Sequence, residues 1–256
     1  MRAGIRERSL KRMDEFTAYY SMQSGVLGVA AYGSNANRER FDDDSDLDFL
    51  VLCESGAKAQ LLEQIGDLSA FGEIAALRIV YGDAVQVLFS DGVLCDYGIV
   101  TPDQLGTFPH GAGRYLWRWE GWNAVDLGAN EPERKSARES CEDALFSLYV
   151  GLLRLQRGEV AAAFEEIQLK AAKSALDLIQ GASADVFSPL RRAEQAVSKE
   201  TLLQFLPGYG KSALAAQAIL KALTACEDWP LYGAVRALLR NCAESKPEQE
   251  MTFERM

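Results

Sequence analysis

The sequence predicts an α+β chain in which an N-terminal mixed sheet with flanking helices is followed by a C-terminal helical bundle. Three observations predict it. Short apolar runs bounded by turn residues crowd between Val26 and Val100, and apolar residues recur every three or four positions from Ser136 onward. Between them lies a stretch rich in Gly, Pro and Trp where neither period holds. The expected divisions are a sheet domain over 1–105, a linker over 106–135, a helical bundle over 136–245 and a polar tail over 246–256.

The elements follow in order. Leu10, Met13, Phe16 and Tyr20 describe an amphipathic helix over Ser9–Met22, with Ser9 as its cap. Val26–Tyr32 and Leu47–Leu52 read as buried strands. After Gly56, Leu61, Leu62, Ile65 and Leu68 mark a second helix packed on the sheet. Leu77–Tyr81 and Val85–Phe89 are strands, and Ser90-Asp91-Gly92 turns the second into Val93–Val100. On that last arm Val93, Cys95, Tyr97 and Ile99 share one face, while Asp96 projects from the other among Leu94, Gly98 and Val100. A charge buried there without a partner would be costly.

In the linker, Trp117, Trp119 and Trp122 suit packing at a domain junction better than stacking on a ligand ring. His110, in Phe-Pro-His-Gly, reads as a loop histidine. Cys141, Leu145, Leu148, Leu152 and Leu155 line one helix, and Phe164, Ile167, Ala171, Ala175 and Leu178 a second, antiparallel to it. Ser188-Pro189 predicts a further helix closed at Pro207-Gly208; Lys211–Cys226 and Leu231–Cys242 complete the bundle. Gly208-Tyr209-Gly210-Lys211-Ser212 imitates the end of a phosphate-binding P-loop, but Phe205 stands where that motif needs glycine and a helix precedes it. A glycine turn is expected instead.

Composition narrows the function. A formal net charge of −10 argues against a long nucleic acid as partner, since such binding rests on Lys and Arg neutralising phosphates. Cys53, Cys95, Cys141, Cys226 and Cys242 show no Cys-x-x-Cys spacing, and one histidine leaves too few ligands for zinc. Reduced thiols in a cytoplasm are expected. The N-terminus has no apolar h-region and no stretch has the length of a membrane span, so a soluble, unprocessed protein with no membrane partner is expected.

The chemistry is concentrated in VLGVAAYGSNANRERFDDDSDLDFLV, residues 26–51. Asp46 and Asp48, two residues apart at the start of a strand, point to one side with Leu47 opposite. Paired carboxylates repel unless a cation lies between them, and hard oxygen ligands suit magnesium bound together with a nucleotide's phosphates. Arg38 and Arg40, in the loop between the turn and the carboxylates, are placed to reach the β- and γ-phosphates, and a solvated charged loop explains them equally well; Asp42, Asp43 and Asp44 precede the strand and are expected in water. Lys170 and Lys173 read as a solvated helix face.

Gly33-Ser34, eleven residues, then Asp-Leu-Asp and an apolar strand resembles the signature of the nucleotidyltransferase superfamily, which includes the antibiotic nucleotidyltransferases for aminoglycosides and lincosamides. The resemblance covers residues 26–100 and implies that 1–105 is the catalytic domain. It implies that Gly33 and Ser34 hold the triphosphate of ATP or another nucleoside triphosphate, that Asp46 and Asp48 bind magnesium, and that Asp96 is the third carboxylate of a site for two Mg2+ ions. In the two-metal arrangement one ion grips the triphosphate and the other lowers the pKa of the attacking hydroxyl.

The expected activity is magnesium-dependent transfer of a nucleotide, AMP from ATP, to a hydroxyl of a small-molecule acceptor such as an antibiotic, with release of pyrophosphate. The acidic balance suits a cationic acceptor, and the bundle is expected to help bind it. Two other readings remain at this point: modification of a protein or RNA end, as in toxin–antitoxin relatives, and a nucleotide-binding regulator without turnover, against which the intact Asp46, Asp48 and Asp96 speak. Monomer and homodimer are both compatible with the sequence.

Overall fold

The computed structural model describes residues 4–37 and 39–244, and the chain divides after Glu131 into two compact units. The tail expected over 246–256 lies outside the described residues.

In the first unit the apolar stripe of Met13, Phe16 and Tyr20 forms the buried side of α1 (Ile5–Ser21). It covers one face of a six-stranded mixed sheet made of β1 (Val26–Ala31), β2 (Leu47–Cys53), β3 (Ile74–Val80), β4 (Ala84–Phe89), β5 (Leu94–Val100) and β6 (Arg114–Arg118). The spatial order is β3-β4-β5-β2-β1-β6, with β2 and β5 parallel and every other pair antiparallel. Alternation along the strands sends Phe49, Val51, Val85, Val87, Cys95, Tyr97 and Ile99 to the α1 face, where Leu61, Ile65 and Leu68 close the layer. The last three come from α3 (Lys58–Glu63) and the 3-10 turn Gln64–Phe71 that follows it; α2 is the single turn Gly33–Ala36. Phe49 stacks on Tyr97 at 4.4 Å between centroids. Each fully buried side chain of this size stabilises the fold by about 1.5–3 kcal/mol.

The opposite face of the sheet is only half covered. Leu27, Ala30, Leu50, Leu52 and Val100 pack under Leu105 and Leu127, but the covering chain stops short of the half that carries Asp48 and Asp96, both half-buried.

The segment read as a linker builds part of the sheet. Arg114–Arg118 pairs antiparallel with β1, matching Val29 to Trp117 and Ala31 to Arg114. Its five residues are an edge strand with Arg at both ends and no fully buried position, so it shows little of the alternation by which a strand is recognised. Trp117 packs partly against the α1-side core, and Trp122 meets Tyr115 edge-on in the smaller layer. Trp119 is exposed.

The second unit is helical: α4 (Ala137–Gln156), α5 (Val160–Phe164), a π-helical stretch (Glu165–Ala171), α6 (Ala172–Gln180), α7 (Lys199–Phe205), α8 (Ser212–Ala222) and α9 (Pro230–Glu244). Ser136 and Glu139 form a capping box on α4. Two expectations change here. Ser188-Pro189 starts no helix: the Asp185 carboxylate takes the backbone N–H groups of Phe187 and Ser188 and the Arg192 guanidinium, offering the chain a turn in place of a helix. The helix begins eleven residues later, at Lys199, where the Ser198 hydroxyl accepts from Thr201 N–H. Not all thiols are free either, because Cys141 on α4 and Cys226 are paired as a disulfide. Their separation of 85 residues has no local signature; the packing of two buried positions brings them together. The P-loop imitation is a turn, as expected, held by the buried Gln168, whose amide donates to Gly208 O and accepts from Gly208 N–H, each at 2.9 Å. Lys170 is paired with Glu165 and Glu166 on its own helix.

Candidate active site

The site begins where β1 ends. Tyr32 N–H donates to Asp48 O at 2.9 Å, and the buried Asn35 side chain donates to the same oxygen at 3.4 Å, so α2 is docked onto the start of β2. Gly33 opens the turn at φ +57°, in the left-handed region, and a Cβ at this position would run into Asp48 Oδ2. Glycine is required twice over, for backbone conformation and for close approach. Ser34 is half-buried in the same turn, and the Arg114 guanidinium donates to the carbonyls of Ala36 and Asn35 at its far end.

From Asp48 the sheet carries a row of polar residues in register. Asp48 on β2 is the partner of Asp96 on β5, Asp96 the partner of Gln86 on β4, and Gln86 the partner of Arg78 on β3. The Gln86 amide donates to Asp96 Oδ2 at 2.7 Å and accepts from Arg78 Nε at 2.6 Å. Asp46 sits one residue before β2, half-buried, and its charge contributes, after burial and the charge of Asp91, to holding the Cys95 thiol up at about 12. Two other carboxylates of this region, Asp91 in the turn between β4 and β5 and Asp83 just before β4, have structural partners: Asp91 pairs with Arg12, which lies 3.8 Å over the Phe89 ring, and Asp83 pairs with Lys58. Asp42, Asp43 and Asp44 are exposed; Asp43 accepts from Arg6 N–H, and Asp42 folds its own loop by accepting from Ser45 Oγ and Asp44 N–H.

Beside this row lies a cavity of about 530 Å³ lined by Asp48, Asp96, Asp83, Tyr32, Phe108 and His110 among others. Tyr32 is 7% exposed, and among the described residues its hydroxyl has no hydrogen-bond partner; burial pushes its pKa up to about 12. His110 meets Tyr32 edge-on, with its ring nitrogens 2.9 Å from Gly111 O and 3.1 Å from Leu105 O, so it is a wall of the cavity rather than a free loop residue. The cavity also takes in Gln104, which forms a capping box with Thr101 and accepts from Lys58 Nζ at 2.7 Å.

Among the described residues no group of three or more acidic, histidine or cysteine side chains converges as a ready metal cage. The donors present still fit magnesium, which keeps several waters and is held by one or two carboxylates plus substrate phosphates rather than by an all-protein cage. Asp48 and Asp96 supply that pair of hard oxygen ligands on one face, with Asp46 at the head of the same strand. Arg40 is exposed and does not line the cavity; Arg38 lies outside the described residues.

No protein-family model matches the chain, and no curated protein matches it in sequence. Solved structures do. An aminoglycoside 6-adenyltransferase from Bacillus subtilis is 13% identical with a TM-score of 0.31, the match covering 91% of each chain. A STING-associated CdnE c-di-GMP synthase from Capnocytophaga granulosa is 12% identical over 94% of this chain and 83% of that one, with a TM-score of 0.34. A putative nucleotidyltransferase from Sulfolobus solfataricus is 18% identical over 47% of this chain and 89% of that one, with a TM-score of 0.29.

The sequence carried no sign of Gln86 and Arg78, which look like the solvent side of an alternating hairpin and gain meaning only from the register of four strands. Tyr32 looked like the last residue of a buried strand; the signal it did give was its place directly before Gly33-Ser34. Among the described residues no helix is long and apolar enough to cross a membrane.

Proposed function

We propose that the protein is an enzyme that transfers a nucleotide from a nucleoside triphosphate, ATP in the first instance, to a hydroxyl of a small-molecule acceptor and releases pyrophosphate. The observation that carries this reading is the pairing of Asp48 with Asp96 in register on the half-open face, directly below a turn that only glycine can make.

Asp46, Asp48 and Asp96 would hold two magnesium ions, which when bound neutralise the triphosphate and lower the pKa of the attacking hydroxyl. The chain's own residues supply the rest. The backbone of Gly33 and the Ser34 hydroxyl take the phosphates on the β1 side of Asp48, where the absence of a Cβ lets an anion approach the chain closely. Asp96, on the far side of Asp48, receives the acceptor hydroxyl and takes its proton as the oxygen attacks the α-phosphorus. The cavity lined by Tyr32, Phe108 and His110 adjoins both carboxylates and offers aromatic walls to a ring. The acidic balance of the chain favours a cationic acceptor such as an amino sugar.

The test is a pyrophosphate-release assay with each of the four ribonucleoside triphosphates, with and without Mg2+, against a panel of neutral and cationic hydroxyl acceptors, a short RNA and protein lysate. Acceptor-dependent release that needs Mg2+ and is lost in Asp48→Asn and Asp96→Asn is the expected result. Nucleotide binding with no release under any of these conditions overturns the enzymatic reading, and labelling confined to RNA or protein overturns the small-molecule acceptor.

A further inference from the structure

The Arg78–Gln86–Asp96 row contains more order than a cross-strand contact requires. A carboxylate can only accept hydrogen bonds and a guanidinium can only donate them, whereas an amide does one at each end. With Asp96 Oδ2 at 2.7 Å on one side and Arg78 Nε at 2.6 Å on the other, the Gln86 amide has a single orientation that satisfies both neighbours. Its flip is set by the network and not by choice. Among the described residues Gln86 is the hydrogen-bond partner of the Asp96 side chain, and it engages one carboxylate oxygen, Oδ2, of a residue that lines the cavity. The three residues are also register partners on β3, β4 and β5, so the backbone ladder fixes their spacing.

We propose that Gln86 is a positioning residue that aims the Asp96 carboxylate, and that Arg78 locks Gln86 in the donating orientation. The proposal rests on the reading that Asp96 takes part in nucleotidyl transfer. A carboxylate on a strand rotates about two side-chain torsions; tying one oxygen to an amide whose other end is tied in turn removes that freedom before substrate arrives. Groups of this kind behind a metal-binding or proton-accepting carboxylate are worth about 10- to 100-fold in activity or metal affinity when removed.

The experiment compares full-length wild type with Gln86→Leu, Gln86→Glu and Arg78→Gln. Gln86→Leu keeps the volume and loses the donor. A fall in kcat of about 10- to 100-fold is expected, with KM for the triphosphate and the melting temperature little changed. Gln86→Glu accepts but cannot donate, and sets a second charge beside Asp96, so it should lose at least as much; if the leucine variant fails to fold, this one carries the test. Arg78→Gln should lose less than Gln86→Leu. A readout apart from turnover comes from the Gln86 side-chain NH2 signal in a nitrogen–proton NMR spectrum, identified by its disappearance in Gln86→Leu. Titration with Mg2+ should move it in wild type and leave it in place in Asp96→Asn. Wild-type kcat in both Gln86 variants, a change confined to KM, or an amide signal indifferent to Mg2+ overturns the positioning role. Full activity in Asp96→Asn overturns instead the reading on which it rests.

Discussion

Asp48 and Asp96 are register partners across the parallel β2–β5 pair, so their carboxylates leave the same face of the sheet side by side. Neighbouring like charges oppose each other unless a cation lies between them, and neutralising either relieves the repulsion. Asp48→Asn and Asp96→Asn should therefore lose turnover while keeping or slightly raising the melting temperature, and Asp46→Asn should behave likewise. Pyrophosphate release and thermal melting measured on one preparation decide it; full activity in Asp48→Asn sinks the metal-site reading.

Gly33→Ala separates backbone strain from collision. An L-residue at φ +57° costs about 1–2 kcal/mol by itself, and here the added methyl also meets Asp48 Oδ2. Gly158, at φ +77° in the second unit, has open space within 4 Å of the point a methyl would occupy, so Gly158→Ala carries the strain alone. Gly33→Ala is expected to lose more stability than Gly158→Ala in denaturant melts, and turnover should vanish only in Gly33→Ala. Equal activity in the two variants would mean that the turn tolerates displacement from Asp48.

How far the sequence reached depends on the range of the interactions involved. The two strands around the motif were readable because β1 is a continuous apolar run buried on both faces and β2 becomes one after Asp48, patterns that need no partner to be recognised. Asp96 stood out as one charge in an apolar strand, yet its register with Asp48 comes from a parallel pairing between distant segments that no local pattern encodes. Gln86 is a different case: it faces Asp96 across the local β4–β5 hairpin, so the pairing is short-range and follows once the register of the Ser90-Asp91-Gly92 turn is set. The edge strand Arg114–Arg118 failed to show because nothing in it is fully buried. At Ser188-Pro189 local signals misled outright, since the cap and the proline suit a helix start, but Asp185 folds the chain just before them into a turn by accepting from Phe187 and Ser188 N–H and pairing with Arg192.

The α1-side core contains one polar contact whose worth can be measured cleanly. Tyr20 and Tyr97 bring their hydroxyls to 2.9 Å with both rings buried. Tyr20→Phe or Tyr97→Phe removes one partner and strands the other away from water, at about 1–3 kcal/mol. The double variant leaves neither hydroxyl and should cost less than the sum of the two, a coupling of about 1 kcal/mol in a double-mutant cycle of urea melts. Strict additivity would show that the two hydroxyls find other partners.

The buried phenols and thiols also set the protein's response to alkali. Burial favours the neutral form, and it pushes Tyr32 and Cys95 up to about 12 and Cys53 to about 11, with Tyr20 and Tyr97 raised as well. In the unfolded chain the same groups ionise at their ordinary values of 9.0 for the thiol and 10.0 for the phenol. At neutral pH both states are fully protonated at these positions, and their contribution to stability is wholly present. As pH climbs through the unfolded values the unfolded chain releases protons that the folded protein keeps, so stability falls with rising pH until the folded values are reached. The melting temperature should therefore hold level up to about pH 9 as far as these groups are concerned and then decline steadily over about pH 9–12. Tyrosinate absorption near 295 nm gives the independent check: the signal from the buried rings should appear with unfolding and not ahead of it. Titration of Tyr20, Tyr32 and Tyr97 at their ordinary value in a still-folded protein, followed by the loss of that signal on changing each to Phe, would show that the core admits water and that burial does not hold these groups neutral.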